Sequence, residues 1–297
     1  MKNIYQTVHF LFNHPLTRKR KWSAIKRFAR WQFHAKILNL PVVYPFIEGS
    51  QLIITKGMTG ATGNIYTGLH EFEEMGFLLH LLRPGDIFCD AGANIGSFTI
   101  LASAVIKANT LSFEPVPVTF MHLKRNVTIN HLESTVELFN CGLGDEPGSL
   151  HFTKDLDTVN HVMTGGEKAA GQTIEVEIKT LDQALNGRTP VLIKMDVEGY
   201  ELSVLKGAAS TIKDLTLKAI IIELNGSCHR YGVEEREIHQ YLISAGFAPG
   251  SYDPFERILV KRETYNLHGN TIYIRDEPFI RQRIKKAPFF TVLNQKI

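Results

Sequence analysis

From Pro84 onward, short apolar runs alternate with amphipathic stretches, the pattern of a parallel sheet whose strands are joined by crossover helices. Five runs rich in Val, Ile, Leu and Phe read as strands, at residues 86–90, 110–113, 136–141, 191–195 and 219–223. Helices are predicted over residues 97–106, 118–130, 201–212 and 234–245. Two later runs, Phe247 to Tyr252 and Arg257 to Lys261, meet at an Asp253-Pro254 turn and predict an antiparallel closing pair. Leu150 to Thr153 and Ile174 to Ile178 alternate apolar with polar, as an exposed strand pair would. They flank Lys154 to Thr173, a polar loop that reads equally as a lid or a connector.

The chain of 297 residues is 44% hydrophobic and 21% charged, which excludes a disordered or collagen-like protein. The pattern divides it into a basic helical extension (1–47), a lead-in segment (48–80), an α/β domain (81–262) with an insertion at 149–180, and a basic tail (263–297). The net charge of +3 conceals an asymmetry, because residues 1–47 hold nine Lys/Arg and no Asp or Glu. In that arm Trp22, Ile25 and Ala29, with Phe28 alongside, approximate one apolar helical face. Docking on the acidic body or a second subunit is the first expectation for it, and peripheral contact with anionic lipid the second. Nucleic acid is not expected, since no recognisable nucleic-acid module accompanies the arm.

Cys89, Cys141 and Cys228 lie far apart and read as buried, reduced thiols of a cytoplasmic protein. No apolar run approaches the roughly 20 residues that span a bilayer, and the N-terminal stretch does not read as a signal peptide. The histidines form no metal-ligand spacing, so no metal is assigned.

Ligands of an open parallel sheet bind beyond the carboxyl ends of its strands. Asp90, Glu114, Asp196 with Glu198, and Glu223 all fall there. The turn Asp90-Ala-Gly-Ala-Asn-Ile-Gly96 is small enough for close backbone approach, yet it is not GxGxxG, and its leading carboxylate would repel a pyrophosphate. An acid there suits a cationic amino acid part, and Glu114 suits a ribose diol.

DAGANIGSFT at 90–99, FEP at 113–115, TLD at 180–182 and IKMDVEGYELSVLKGA at 193–208 resemble the FkbM family of S-adenosylmethionine (SAM)-dependent methyltransferases. The resemblance covers roughly residues 60–262, with Ala91 where Val is common. It implies a Rossmann-like, seven-stranded class I methyltransferase sheet, mostly parallel with an antiparallel closing strand. It also implies that Asp90, Gly92, Ala93, Asn94 and Gly96 surround the methionine part of SAM and that Glu114 holds the ribose. Asn140 to Asp145, including Cys141 and Gly142, would line the adenine, with Asp145 reaching its amino group. Tyr66 and Glu71 in the lead-in segment are further cofactor candidates.

Asp196 would lie where the methyl group points, as acceptor-orienting base or as a helix cap, with Lys194 pairing one of the neighbouring acids. His161 and His229 are alternative bases, and Asn160, Glu198 and Glu223 are acceptor-binding candidates. The reaction implied is O-methylation of a hydroxyl on a sugar, glycan or secondary metabolite. Two rivals stay open: an NAD-dependent oxidoreductase, disfavoured by the missing GxGxxG, and a non-catalytic module recruited through the arm.

Overall fold

A computed structural model describes residues 4–38, 40–153, 161–163, 173–267 and 269–297. Helices α1 (Ile4–Asn13) and α2 (Lys21–Ile37) precede a hairpin of β1 (Val42–Pro45) and β2 (Gln51–Ile54). Next come α3 (Thr59–Thr67) and α4 (Phe72–Leu81). The α/β body follows with β3 (Ile87–Ala91), β4 (Asn109–Phe113) and β5 (Val136–Phe139). A small sheet of β6 (Gly142–Leu143), β7 (Gly148–Thr153) and β8 (Thr173–Lys179) interrupts it before β9 (Leu192–Met195) and β10 (Ala219–Leu224). The sheet is completed by β11 (Ala248–Asp253), β12 (Ile258–Lys261) and β13 (Gly269–Ile274).

The main sheet has eight strands in the order β12-β11-β13-β10-β9-β3-β4-β5. From β10 to β5 all neighbours run parallel, while β13 runs antiparallel to β10 and to β11. Strand order reverses between β3 and β9, which leaves a crevice beyond their carboxyl ends. The central strands are buried on both faces, which is why they read as unbroken apolar runs. One apolar layer, with Phe77, Leu78, Phe88 and Leu101, covers one face; another, with Leu205, Ile220, Ile222 and Leu242, covers the other.

The α/β class and the hairpin β11–β12 match the sequence pattern, but the domain does not stop at 262 and the sheet exceeds seven strands. Strand β13 inserts between β10 and β11, and its signal is only Thr271-Ile-Tyr-Ile274, four residues buried on both faces. The segment expected to be a basic tail instead folds as β13, a helix (Glu277–Lys286) and a terminal hairpin. These bury Ile280, Ile284, Phe290, Val292 and Ile297 in the core.

The arm docks on the body by a face that shares only part of the one expected: Ile25 and Phe28 pack against the core, but the rest of the face is rotated. Ala24, Trp31 and Ala35 are buried, whereas Trp22 is 86% exposed and Ala29 also faces outward. The polar contacts of this seat are Arg27 Nε and Nη2 donating to the Tyr66 carbonyl (2.9 and 2.6 Å) and Gln32 Nε2 donating to the Tyr66 hydroxyl (3.2 Å). The lid-or-connector loop, with Asn160, lies outside the described residues apart from 161–163 and Thr173. Among the described residues no helix is long and apolar enough to cross a membrane, and all three cysteines are free and buried.

Candidate functional site

A cavity of about 340 Å³ opens beyond the carboxyl ends of β3, β4, β9 and β10. Strand geometry delivers Glu114, Asp196, Glu198 and Glu223 to its wall, and α3 and the turn ahead of α4 close it with Asn64, His70 and Glu71.

The turn after β3 is held against the end of β4 by its own N–H groups. Gly92 and Ala93 donate to the Phe113 carbonyl (3.0 and 2.9 Å), and Asn94 donates to Glu114 Oε2 (3.0 Å). Ile95 N–H turns back to Asn94 Oδ1 (2.8 Å) and Gly96 N–H to the Ala93 carbonyl (2.8 Å). Every backbone N–H from Gly92 to Gly96 is thereby used within the chain, so the turn's backbone offers no phosphate cradle. Gly92 has φ +77°, and a Cβ there would lie 1.8 Å from the Asp196 carbonyl oxygen, so only glycine lets the two turns meet.

Two carboxylates anchor this half. Asp90 is 1% exposed; its Oδ2 accepts from Thr99 Oγ1 (2.6 Å), while Oδ1 has no hydrogen-bond partner. Burial raises its pKa, with Lys194 and Thr99 opposing. Glu114 accepts from Asn94 N–H and, at 2.9 Å, from Val116 N–H; burial nevertheless pushes it up to about 7. Each Glu114 oxygen keeps lone-pair capacity for a further donor. Cys141, Gly142 and Leu143 line the wall beside Phe113, and burial pushes the Cys141 thiol up to about 11, so it is inert there.

The other half is organised by charge. Lys194, 5% exposed, places Nζ 2.8 Å from Asp196 Oδ2 and 5.2 Å from the centroid of the Phe98 ring. Burial pulls its pKa down, but Asp196, Glu71 and Asp90 outweigh burial and raise it. Burial also pushes Asp196 up, and Lys194 together with a hydrogen bond from Glu223 reverses this, so its carboxyl sits below the ordinary range. Glu223 goes the other way, raised by burial and by the Asp196 charge. Glu198 is pushed up to about 8 by burial and by Asp196. Its φ of +54° is unusual for a side chain of this kind and turns the chain into Gly199. One carboxylate oxygen each from Asp196, Glu198 and Glu223 lies within 4.8 Å of the others, a cluster not assigned from spacing because two different strand ends supply it. Glu71 accepts from Asn270 Nδ2 (2.8 Å), and burial raises its pKa against the pull of Lys194.

Several expectations land elsewhere. Asp196 does not cap the next helix, which starts at Glu201; Glu201 Oε1 itself accepts Gly199 N–H (3.0 Å). Asp145 points away from the cavity and is held by Ser203 Oγ (2.7 Å). Tyr66 is absent from the cavity wall, since its hydroxyl and carbonyl are spent on the arm. His161 is buried in the small sheet, where its backbone bonds Thr153, and does not line the cavity. His229 sits on the surface, its side chain 54% exposed and Nδ1 3.7 Å from Glu234. Sequence reasoning missed His70, Asn64 and Tyr200 as lining residues. Gly63 was a usable signal: a Cβ there would lie 2.2 Å from the His70 ring, so a small residue must stand beside it.

The chain is similar in sequence to known methyltransferases. Methyltransferase 1 of Beauveria bassiana is 33% identical over 169 residues, 48% of this chain and 66% of its own length. Methyltransferase sdnD of Sordaria araneosa is 29% identical over 216 residues, 61% of this chain and 83% of its own. Hexuronic acid methyltransferase AglP of Haloferax volcanii is 29% identical over 173 residues, 57% of this chain and 66% of its own. The model of the methyltransferase FkbM domain matches residues 90–249, from the Asp90 turn through β9 and β10 into β11, which is more than half of the chain: the protein belongs to the FkbM methyltransferase family.

Proposed function

We propose that the protein uses SAM to methylate a hydroxyl group of a sugar-like acceptor. The observation that carries this reading is the turn after β3, whose N–H donors are all consumed within the chain while two carboxylates, Asp90 and Glu114, flank it. Such a site repels a pyrophosphate and fits a ligand carrying an ammonium and a vicinal diol. Asp90 stands behind the turn and outside the cavity wall, where its orphaned Oδ1 contributes negative charge that favours an ammonium, and Glu114, on the wall, is suited to the diol. When bound, SAM supplies an electrophilic methyl group on a sulfonium.

The chain's own residues then have two tasks, alignment and proton removal. Asp196, held ionised by Lys194, is a fixed acceptor for an acceptor hydroxyl and a weak base. Glu198, half-buried and poised near neutrality, takes the proton. The base role expected of Asp196 therefore passes to Glu198. A sugar-like acceptor fits a wall of neutral and acidic groups better than a polyanion does, and AglP acts on a hexuronic acid by its name.

Calorimetry with S-adenosylhomocysteine (SAH) tests the cofactor. Binding should be measurable, and Glu114→Ala should weaken it about 10- to 100-fold through loss of charge-assisted hydrogen bonds. Failure of SAH to bind while NADH binds would overturn the proposal in favour of an oxidoreductase.

A further inference from the structure

The arm docks with its apolar inner face and leaves its charges elsewhere. Among the described residues none of its Lys or Arg side chains forms an ion pair with a carboxylate. Arg20 and Arg27 bond backbone carbonyls, and Lys21 lies over the Phe12 ring. Attraction to the acidic body therefore does not explain a segment with nine cations and no anion.

The outward face of α2 carries Trp22, Lys26, Ala29, Arg30, Phe33, Lys36 and Ile37, which fall on one side of a helix at intervals of three and four. Trp22 is 86%, Phe33 64% and Ile37 62% exposed. Leu38 and Leu40, beyond the end of the helix, are 53% and 60% exposed. A run of large apolar side chains interleaved with cations, facing outward from a helix already seated on its other side, marks an interaction surface.

We propose that this face docks on an anionic lipid surface, with α2 lying along the interface. Trp22, Phe33 and Ile37 would enter the boundary between headgroups and acyl chains, while Lys26, Arg30 and Lys36 extend to the headgroup phosphates and carboxylates. A second copy of the chain fits this face poorly. A two-fold contact would set Lys26, Arg30 and Lys36 against like charges with no carboxylate in the arm to neutralise them. The surface also has a route to the catalytic cavity, because the inner face of α2 bears on α3 through Tyr66, and α3 lines the cavity with Thr59, Gly60, Ala61 and Asn64. An acceptor presented at a lipid surface follows from this geometry together with the methyltransferase reading; the lipid contact itself does not depend on that reading.

The test uses the full chain with vesicles of phosphatidylcholine alone and with about a quarter phosphatidylserine. Trp31 is 6% exposed and Trp22 is the other tryptophan, so the difference in emission between wild type and Trp22→Phe reports Trp22. Binding to the anionic vesicles with a blue shift of the Trp22 signal is expected, weakened about tenfold or more by the triple change Lys26→Glu, Arg30→Glu, Lys36→Glu and comparably by Phe33→Ser with Ile37→Ser. Both variants change exposed side chains, so circular dichroism and SAH affinity should stay as in wild type. Three results would overturn the proposal: no sedimentation with anionic vesicles, equal binding to both vesicle types, or a dimer that dissociates in the Phe33→Ser, Ile37→Ser variant. Tight binding of poly(U) that vesicles do not displace would also overturn it.

Discussion

Glu114, at the end of β4, and Asp196, at the end of β9, face the same cavity with different partners. Backbone N–H groups hold Glu114, and these belong to a turn fixed by the sheet itself. Other side chains hold Asp196, namely Lys194 and Glu223. The first arrangement is fixed by the backbone, and the charges of Asp196 and Lys194 act on it less than burial and those N–H groups do. In the second, removing one charge shifts every neighbour, because Lys194 bears on Asp196, Glu71 and Asp90 at once. A half built from backbone suits invariant recognition of a cofactor, and a half built from coupled charges suits moving a proton.

The comparison breaks most visibly at Lys194. Lys194→Met keeps the aliphatic length but leaves Asp196 without its cation, and breaking a buried pair in this way costs about 3 kcal/mol or more. The urea midpoint should fall accordingly, and adding Asp196→Asn should recover part of the loss. Glu114→Gln, which removes a carboxylate held mainly by backbone N–H groups, should cost roughly 1–2 kcal/mol. Equal losses from Lys194→Met and Glu114→Gln would erase the distinction between the two halves.

The next effect lies in turnover. Glu198→Gln should lower kcat about 100-fold and leave SAH affinity near wild type. In the wild type, kcat should rise with pH to an inflection at or below about 8, since a bound cation lowers the pKa of a neighbouring carboxyl. That inflection should vanish in Glu198→Gln. A variant that keeps it would return the proton to another group.

What the sequence makes legible is what the strands position. Asp90, Glu114, Asp196, Glu198 and Glu223 are readable because a strand end fixes where its next residue must stand. The resemblance implies Asp145 and Tyr66, and loops near the cleft suggest His161 and His229, but none of the four lines the cavity: Ser203 holds Asp145, and the arm takes Tyr66. Strand β13 escapes because four doubly buried residues carry no alternation. The inner face of α2 escapes for the opposite reason. Hydrophobicity alone ranks Trp22 inward, but Ala24 and Ala35 are small enough to let α2 approach α3 closely, and the larger Trp22 is left outside.

The smallest effect is thermodynamic and reads the buried carboxyls of both halves by proton linkage. Glu114 and Glu201 are pushed up to about 7 by burial, and Glu74 and Glu198 to about 8. Each has a folded pKa above its unfolded value, so the native chain binds more protons than the unfolded chain in the interval between. The stability this contributes is complete at low pH and is lost as pH rises through the folded values. Burial shifts His14 and His80 the other way, to about 4 and about 3, so their contribution is lost only as pH falls below their unfolded range. Glu223 is raised further, to about 9, so from about pH 6.5 to 8.5 the melting temperature should decline throughout. Saturating SAH brings hydroxyl donors to Glu114 and should flatten the part of that slope due to it, leaving the part due to Glu198, Glu74 and Glu201, the last two of which do not line the cavity. Glu114→Gln should flatten it without ligand, by about one proton's share. A melting temperature that rises across this interval would mean that these carboxyls are already ionised in the native chain and that burial does not govern them in either half.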